Sequence, residues 1–174
     1  MKKIAIIGSG GAGKSTLARK LGKLLDQEVS HLDAMFWKAN WVSVPKEEQI
    51  RVQSELVQQD KWIIDGNYGG TMDIRLHAAD TIVYLDFPRL LCMYRAVKRA
   101  IQYRNRARPD MGPDCREKVD LPFLKWIWEY PKTRKPEILS KIQQLSGEKQ
   151  VIILKSPGEA DRFLKRLGKD KEIG

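Results

Sequence analysis

Five short segments of the chain are close to continuously apolar: Lys3 to Ile7, Val29 to Leu32, Trp62 to Ile64, Thr81 to Leu85 and Gln150 to Leu154. Each is rich in Ile, Val or aromatic side chains, the pattern of strands covered on both faces in a parallel sheet. Between them lie segments that read as helix: Lys14 to Leu25, Pro45 to Gln59, Pro88 to Gln102, two pieces between Leu121 and Leu145, and Pro157 to Leu167. Strand alternating with helix predicts an α/β fold with right-handed crossovers.

Local signals support the helices. Leu90, Tyr94, Val97 and Ile101 are spaced by four, three and four, which gathers them on one face, while Arg95 and Arg99 share another. Pro88 suits a first helical turn, where its missing amide proton costs nothing. Ser156-Pro157-Gly158-Glu159 reads as a capping box with Pro at the first helical position. The least periodic stretch runs from Arg104 to Asp120, interrupted by Pro109, Gly112 and Pro113.

Length fits this pattern. The 174 residues suffice for one domain with a sizeable core, and no repeat or long linker divides them. Composition is globular, with 42% hydrophobic and 31% charged residues, which argues against disorder and disulfide scaffolds. No stretch approaches the roughly 18 to 20 apolar residues of a membrane span. The apolar run after Met1-Lys2-Lys3 stops at Gly8, too soon for a signal peptide, so a cytoplasmic protein without a membrane partner is expected.

Charge adds a location. The formal net charge is +10, and the stretch from Arg89 to Lys141 holds 14 basic against 6 acidic residues, a local +8. Such an excess can meet nucleic acid, an anionic surface or a polyphosphate. Cys92 and Cys115 stand 23 positions apart, and His31 and His77 are isolated, so neither zinc-ligand nor redox spacing is present.

One motif decides among these classes. Gly8-Ser9-Gly10-Gly11-Ala12-Gly13-Lys14-Ser15 matches the phosphate-binding loop, Gly followed by four residues and Gly-Lys-Ser. It follows an apolar strand and opens a helix, as its chemistry requires: successive amides wrap phosphates and the helix N-terminus adds a favourable dipole. Lys14 would reach the β- and γ-phosphates, the Ser15 hydroxyl would ligate magnesium, and Thr16 could reach the α-phosphate. Gly8, Gly10, Gly11, Ala12 and Gly13 complete the expected ATP cradle. A second polar element, Asp65-Gly66-Asn67-Tyr68, ends the buried segment at Trp62, at the strand edge where open α/β sheets bind ligands.

On these residues the chain resembles adenylate kinase-related P-loop kinases. The resemblance implies a three-layer α/β/α P-loop NTPase sandwich with a five-stranded parallel sheet and a small helical lid. It places Asp65 beside magnesium, held through water, although a strand-end carboxylate also caps turns. Where adenylate kinases continue with Phe-Pro-Arg, this chain has Asn67-Tyr68-Gly69, so AMP recognition by that element is not implied. Asp33 falls where shikimate and gluconate kinases carry a substrate-facing Asp, and it would orient the acceptor or take its proton; an ordinary turn role is the alternative. The segment 34–60 would hold the acceptor, with Trp37 and Trp41 either stacking on it or filling the core.

The arginines resemble those that flank a mobile lid, here 104–134. Arg99, Arg104 and Arg134 are the first candidates to neutralise the moving phosphoryl group, with Arg95 in reserve; solvated helix faces are the other use of such runs. Ser156 and Pro157 fall where adenylate kinases contact adenine, although the capping box already explains them. Over nearly the whole chain, Tyr84-Leu85-Asp86-Phe87-Pro88, Arg104 to Met111 and Phe123 to Ile127 are similar to bacterial proteins labelled DNA topology modulation proteins, a branch of these kinases. The expected activity is transfer of the γ-phosphoryl group of ATP, with Mg2+, to a small acceptor, a nucleoside monophosphate being one such acceptor. The competing reading is an ATP-binding regulator that holds nucleic acid through its basic stretch.

Overall fold

The computed structural model describes residues 1–104, 111, 115 and 119–173. In chain order these form β1 (Lys3–Gly8), α1 (Lys14–Leu25), β2 (Val29–His31), α2 (Leu32–Phe36), β3 (Trp37–Lys38), β4 (Val42–Ser43), α3 (Lys46–Leu56), β5 (Trp62–Asp65), α4 (Met72–Ala78), β6 (Thr81–Leu85), α5 (Arg89–Gln102), α6 (Leu121–Thr133), α7 (Lys135–Leu145), β7 (Gln150–Leu154) and α8 (Pro157–Ile173). Five strands make one sheet in the order β2-β5-β1-β6-β7, and all its pairings are parallel. These are the five apolar segments of the sequence. β3 and β4 form a separate antiparallel pair.

The strands are apolar on both faces because both faces are covered. Ala5, Ile7, Ile64, Ile82 and Tyr84 pack with side chains from α2, α3, α4 and α7. Ile4, Ile6, Ile63, Val83 and Leu85 pack on the other face with α1, α5 and α8. The result is the expected α/β/α sandwich. β1 sits at its centre, and the chain leaves its carboxyl end directly into the Gly-rich loop.

The capping signal at Ser156 is present in modified form. Ser156 Oγ accepts the Glu159 amide at 3.3 Å, and the Glu159 carboxylate accepts the amide of Lys155 at 2.8 Å. α6 and α7 meet at Arg134, just after Pro131.

α5 reverses the ordinary amphipathic arrangement. Leu90, Tyr94 and Ile101 are 62–67% exposed, and the buried positions are Cys92, Ala96 and Ala100. The reason is proximity. A Cβ on Gly11 would lie 2.1 Å from the carbonyl oxygen of Cys92, so the helix backbone abuts the Gly-rich loop. Only small side chains fit in that gap, and Leu90, Tyr94 and Ile101 are turned to the outside while Leu91 and Met93 pack beside it.

The expected lid tip, Arg108 to Pro113, lies outside the described residues apart from Met111, as do Arg106 and Arg108 themselves. Met111 is buried, and buried Cys115 donates its Sγ–H to the carbonyl of Lys38 in β3 at 3.2 Å. Among the described residues no helix is long and apolar enough to cross a membrane.

Candidate active site

The loop from Ser9 to Gly13 turns the chain from β1 into α1, with Gly13 at φ +94° as the residue before the helix. The left-handed conformation there favours glycine. Gly10 is held against α6, where a Cβ would fall 2.5 Å from the Phe123 ring. Gly8, Gly10 and Gly11 thus leave no room for a Cβ against Leu85, Phe123 and Cys92, whatever a phosphate adds. Lys14 folds over the loop and donates to the carbonyl of Ser9 at 3.0 Å. Burial pushes its ammonium below the ordinary lysine value, while the nearby carboxylates of Asp33 and Asp65 pull the other way.

The loop opens on a cavity of about 1080 Å³. Drug-sized ligands occupy roughly 300–1,000 Å³, so this volume accommodates a nucleotide and part of a second molecule. Gly10 to Thr16 line its floor, while Gly8 lies behind, packed against Leu85.

Cations reach the cavity from two helices. Arg19 and Lys20 come from α1, and Arg95 and Arg99 from α5. Arg95 Nη1 donates to the carbonyl of Ala12 at 3.4 Å, and Arg99 stands 5.9 Å from the centre of the Phe123 ring. α5 is therefore the element that aims arginines at the loop, and the close approach at Gly11 sets their reach. Arg104 is exposed and does not line the cavity. Arg134 is half exposed, 3.6 Å from Glu137 at the α6–α7 junction, and it too lies outside the cavity wall. Pro157 lines the cavity with Ala160 and Leu164 of α8, whereas Ser156 is occupied as the helix cap.

The opposite wall has other chemistry. Asp33, in the first turn of α2, accepts the Tyr68 hydroxyl on Oδ1 at 2.9 Å. Burial and the neighbouring Asp33 charge push the Tyr68 phenol well above its ordinary range, so it stays a donor. Trp37 and Trp41 meet edge to face at 5.8 Å and line the cavity, whereas Phe123, which stacks on Trp126 at 5.8 Å, lines it from the loop's own side against Gly10. Asn67 also lines it.

Asp65 sits one layer deeper. It is 3% exposed and does not line the cavity; its Oδ1 is 2.6 Å from Nδ1 of His31, directly across the β2–β5 pairing. Fully buried Arg75 lies close enough for its charge to be felt at Asp65, and it donates to Gln53 Oε1 at 2.7 Å and to the carbonyl of Gly66 at 2.9 Å. Burial lowers its guanidinium to about 10, against the pull of Asp65 and Tyr68. The charge below the site is thus a buried cluster of Asp65, His31 and Arg75 with Lys14 in reach.

Sequence reasoning did not anticipate His31, Tyr68 or Arg75 in this cluster. The pairing of His31 with Asp65 had a signal: both end predicted strands, and adjacent parallel strands bring their ends together. The partnership of Asp33 with Tyr68, 35 positions apart, had none.

No family model matches the chain, and no curated protein matches it. Solved structures do. The chain superposes on shikimate kinase from Acinetobacter baumannii in complex with shikimate with a TM-score of 0.65, at 18% identity over 96% of this chain and 90% of that one. The fold is that of the P-loop kinases. Deoxyadenosine kinase from M. mycoides, with products dCMP and a flexible dCDP bound, matches with a TM-score of 0.51 at 14% identity over 96% of this chain and 98% of that one. A shikimate kinase from Bacteroides thetaiotaomicron gives 0.50 at 16% identity over 97% of each chain. At these identities the shared property is architecture, and the P-loop of this chain stands where that architecture places it, between the central strand and α1.

Proposed function

We propose that the protein is a P-loop kinase that transfers the γ-phosphoryl group of ATP to a small acceptor. The observation that carries this reading is the joining of two unlike sites in one cavity: a Gly-rich loop with Lys14 and two aimed arginines, and facing it a carboxylate, Asp33, whose oxygen is oriented by Tyr68. Shikimate kinase and deoxyadenosine kinase, which share the fold, are enzymes of this class. The similarity to proteins labelled DNA topology modulation proteins names a branch of such kinases without a chemistry.

In this reading the amides of Gly10 to Ser15 and the α1 dipole hold the phosphates, and Lys14 exchanges its contact with the Ser9 carbonyl for the β- and γ-oxygens. Arg95 and Arg99 spread positive charge over the moving group, and Arg104 and Arg134 remain candidates for the same task. Adenine would lie by Pro157 and Leu164, next to Ser156. Asp33 takes the acceptor proton.

The residues fit magnesium. Such an ion is held mainly by substrate phosphates and water with one or two protein groups, and Ser15 lines the cavity floor beside Lys14. Ser15 would supply the hydroxyl and Asp65 a carboxylate through water; the ion would neutralise developing charge on the phosphates.

The test is ATP consumption across a panel of hydroxyl and phosphate acceptors, with Lys14→Ala beside the parent protein. Acceptor-dependent ADP formation abolished by the substitution is expected. No turnover with any acceptor, or turnover that survives Lys14→Ala, would overturn the reading. The nucleic-acid reading loses part of its motivation, because Arg95 and Arg99 line the cavity.

A further inference from the structure

The exposed apolar side chains gather in one part of the molecule. Leu90, Tyr94 and Ile101 of α5, Leu121 and Trp128 of α6, and Val119 just before α6 are six of the ten large hydrophobic side chains exposed among the described residues. Single exposed hydrophobics need no explanation, but a group on neighbouring helices does. Leu90, Tyr94 and Ile101 share one face of α5 and extend about 16 Å along it. Leu121 and Trp128, at heptad spacing, share a face of α6. The two helices pack together, and the Arg89 guanidinium joins them, 3.8 Å from the centre of the Trp128 ring.

The charge here has one sign. α5 carries Arg89, Arg95, Lys98 and Arg99 and no acidic residue. Arg95 and Arg99 line the cavity, whereas Lys98 is exposed, its ammonium 5.9 Å from the centre of the Tyr94 ring. On α6, Lys125 and Lys132 are exposed, and Glu129, the acidic residue of that helix, lies 3.8 Å from Lys125. None of the six apolar side chains lines the cavity, so the nucleotide site does not account for them.

The cations select an anionic partner, and the apolar side chains choose among anionic partners. Nucleic acid would meet the cations through its phosphates, but Leu and Ile gain nothing from a phosphate backbone. A second copy of the chain would set these cations against their own kind. An anionic bilayer answers both properties: Leu and Ile enter the acyl boundary, Tyr and Trp favour the headgroup level, and Lys and Arg meet lipid phosphates. The convex face of a helix suits such a surface, which requires no groove.

We infer that the outer face of α5, with Leu121 and Trp128 of α6 beside it, docks on an anionic membrane surface. α5 lies along the headgroups with Leu90 and Ile101 inserted, while Arg95 and Arg99 stay on the cavity. The contact is peripheral, and it does not depend on the kinase reading.

Co-sedimentation of the full chain with vesicles tests this, with phosphatidylcholine alone and with equal parts of phosphatidylcholine and phosphatidylglycerol, each at low and at physiological salt. The parent should bind the mixed vesicles about tenfold or more tighter than the neutral ones, and less tightly as salt rises. Leu90→Ser combined with Ile101→Ser should weaken that binding about tenfold, with the unfolding midpoint unchanged. Lys98→Gln should weaken it about fivefold. Val42→Ser, at an exposed apolar residue away from these helices, should leave it unchanged. Should the double variant fail to fold, Tyr94→Ser and Lys98→Gln decide by the same readout. No binding to mixed vesicles, equal binding by the parent and the double variant, or an equal loss with Val42→Ser would overturn the inference. So would a dimer in solution that the double variant dissolves, or tight binding of duplex DNA at physiological salt that it abolishes; these would give the face to a second copy or to nucleic acid.

Discussion

The two sides of the cavity are built by opposite means. On the phosphate-loop side the backbone does most of the work: glycines, a helix N-terminus and small residues on α5 bring main chain against main chain at Gly11 and Cys92, and the side chains that matter are cations. On the side of Asp33 and Tyr68, the acceptor side in the proposed function, aromatic rings and one oriented carboxylate form the surface. The first arrangement suits a ligand that is the same in every turnover and highly charged. The second suits a ligand that must be recognised by shape and hydrogen bonding, and in the proposed transfer it would keep negative charge where a hydroxyl gives up its proton.

The largest effects should come from crossing that division. Lys14→Ala removes the one ammonium that both sides share, and phosphoryl transfer should fall by about 10³-fold or more, measured as acceptor-dependent ADP formation. A loss under tenfold would mean that the phosphate side does not depend on it. Arg75→Ala strikes beneath both sides, leaving Gln53 and the Gly66 carbonyl without their buried donor and Asp65 without a nearby positive charge. It should cost roughly 3–5 kcal/mol in denaturant unfolding, whereas Arg75→Met, which refills the volume, should cost less only if packing rather than charge dominates. Trp37→Ala belongs to one side alone. The acceptor KM should rise roughly 5- to 100-fold, the loss of one stacking contact, with the ATP KM unchanged. Equal changes in both constants would break the comparison.

A smaller effect lies away from both sides and calibrates them. Asp80 accepts the amides of Lys2 and Lys3 at 2.7 and 3.0 Å and the Thr81 hydroxyl at 2.6 Å. Burial raises its carboxyl, but these bonds outweigh it and hold the group below the ordinary carboxylate range. A depressed folded value means stability that is complete above the unfolded value and is lost as pH falls through the folded one. Asp80→Asn should therefore cost about 1 kcal/mol at neutral pH, and the difference from the parent should shrink below about pH 4. The smallest effect is expected at Leu90→Ser and Ile101→Ser, within about 0.5 kcal/mol, because these apolar residues face outward.

The legibility of the sequence follows the same division. The phosphate side could be read because its geometry is local: a strand, eight residues and a helix carry the whole cradle, and the spacing alone identifies Gly8 to Ser15. The five sheet strands were legible for a similar reason, since burial on both faces leaves uninterrupted apolar runs. α4 and the β3–β4 pair were not, being too short to develop a period. The stripe from Leu90 to Ile101 had the right period and does share a face, but its exposure was not legible, because the spacing of side chains does not report how near a neighbouring backbone comes. The acceptor side depends on contacts such as Asp33 with Tyr68 and His31 with Asp65, which exist only once β5 lies between β2 and β1. Asp33 and Trp37 could be nominated from the sequence, but their partners could not.

The central claim is that the two sides act together to move phosphate onto a hydroxyl. Phosphorus NMR of the protein with ATP, magnesium and a mixture of small hydroxyl acceptors tests it directly, because ester and inorganic phosphate give separate signals. The account predicts a growing phosphomonoester resonance matched by ADP and absent with Asp33→Asn. Inorganic phosphate as the sole new signal would contradict it.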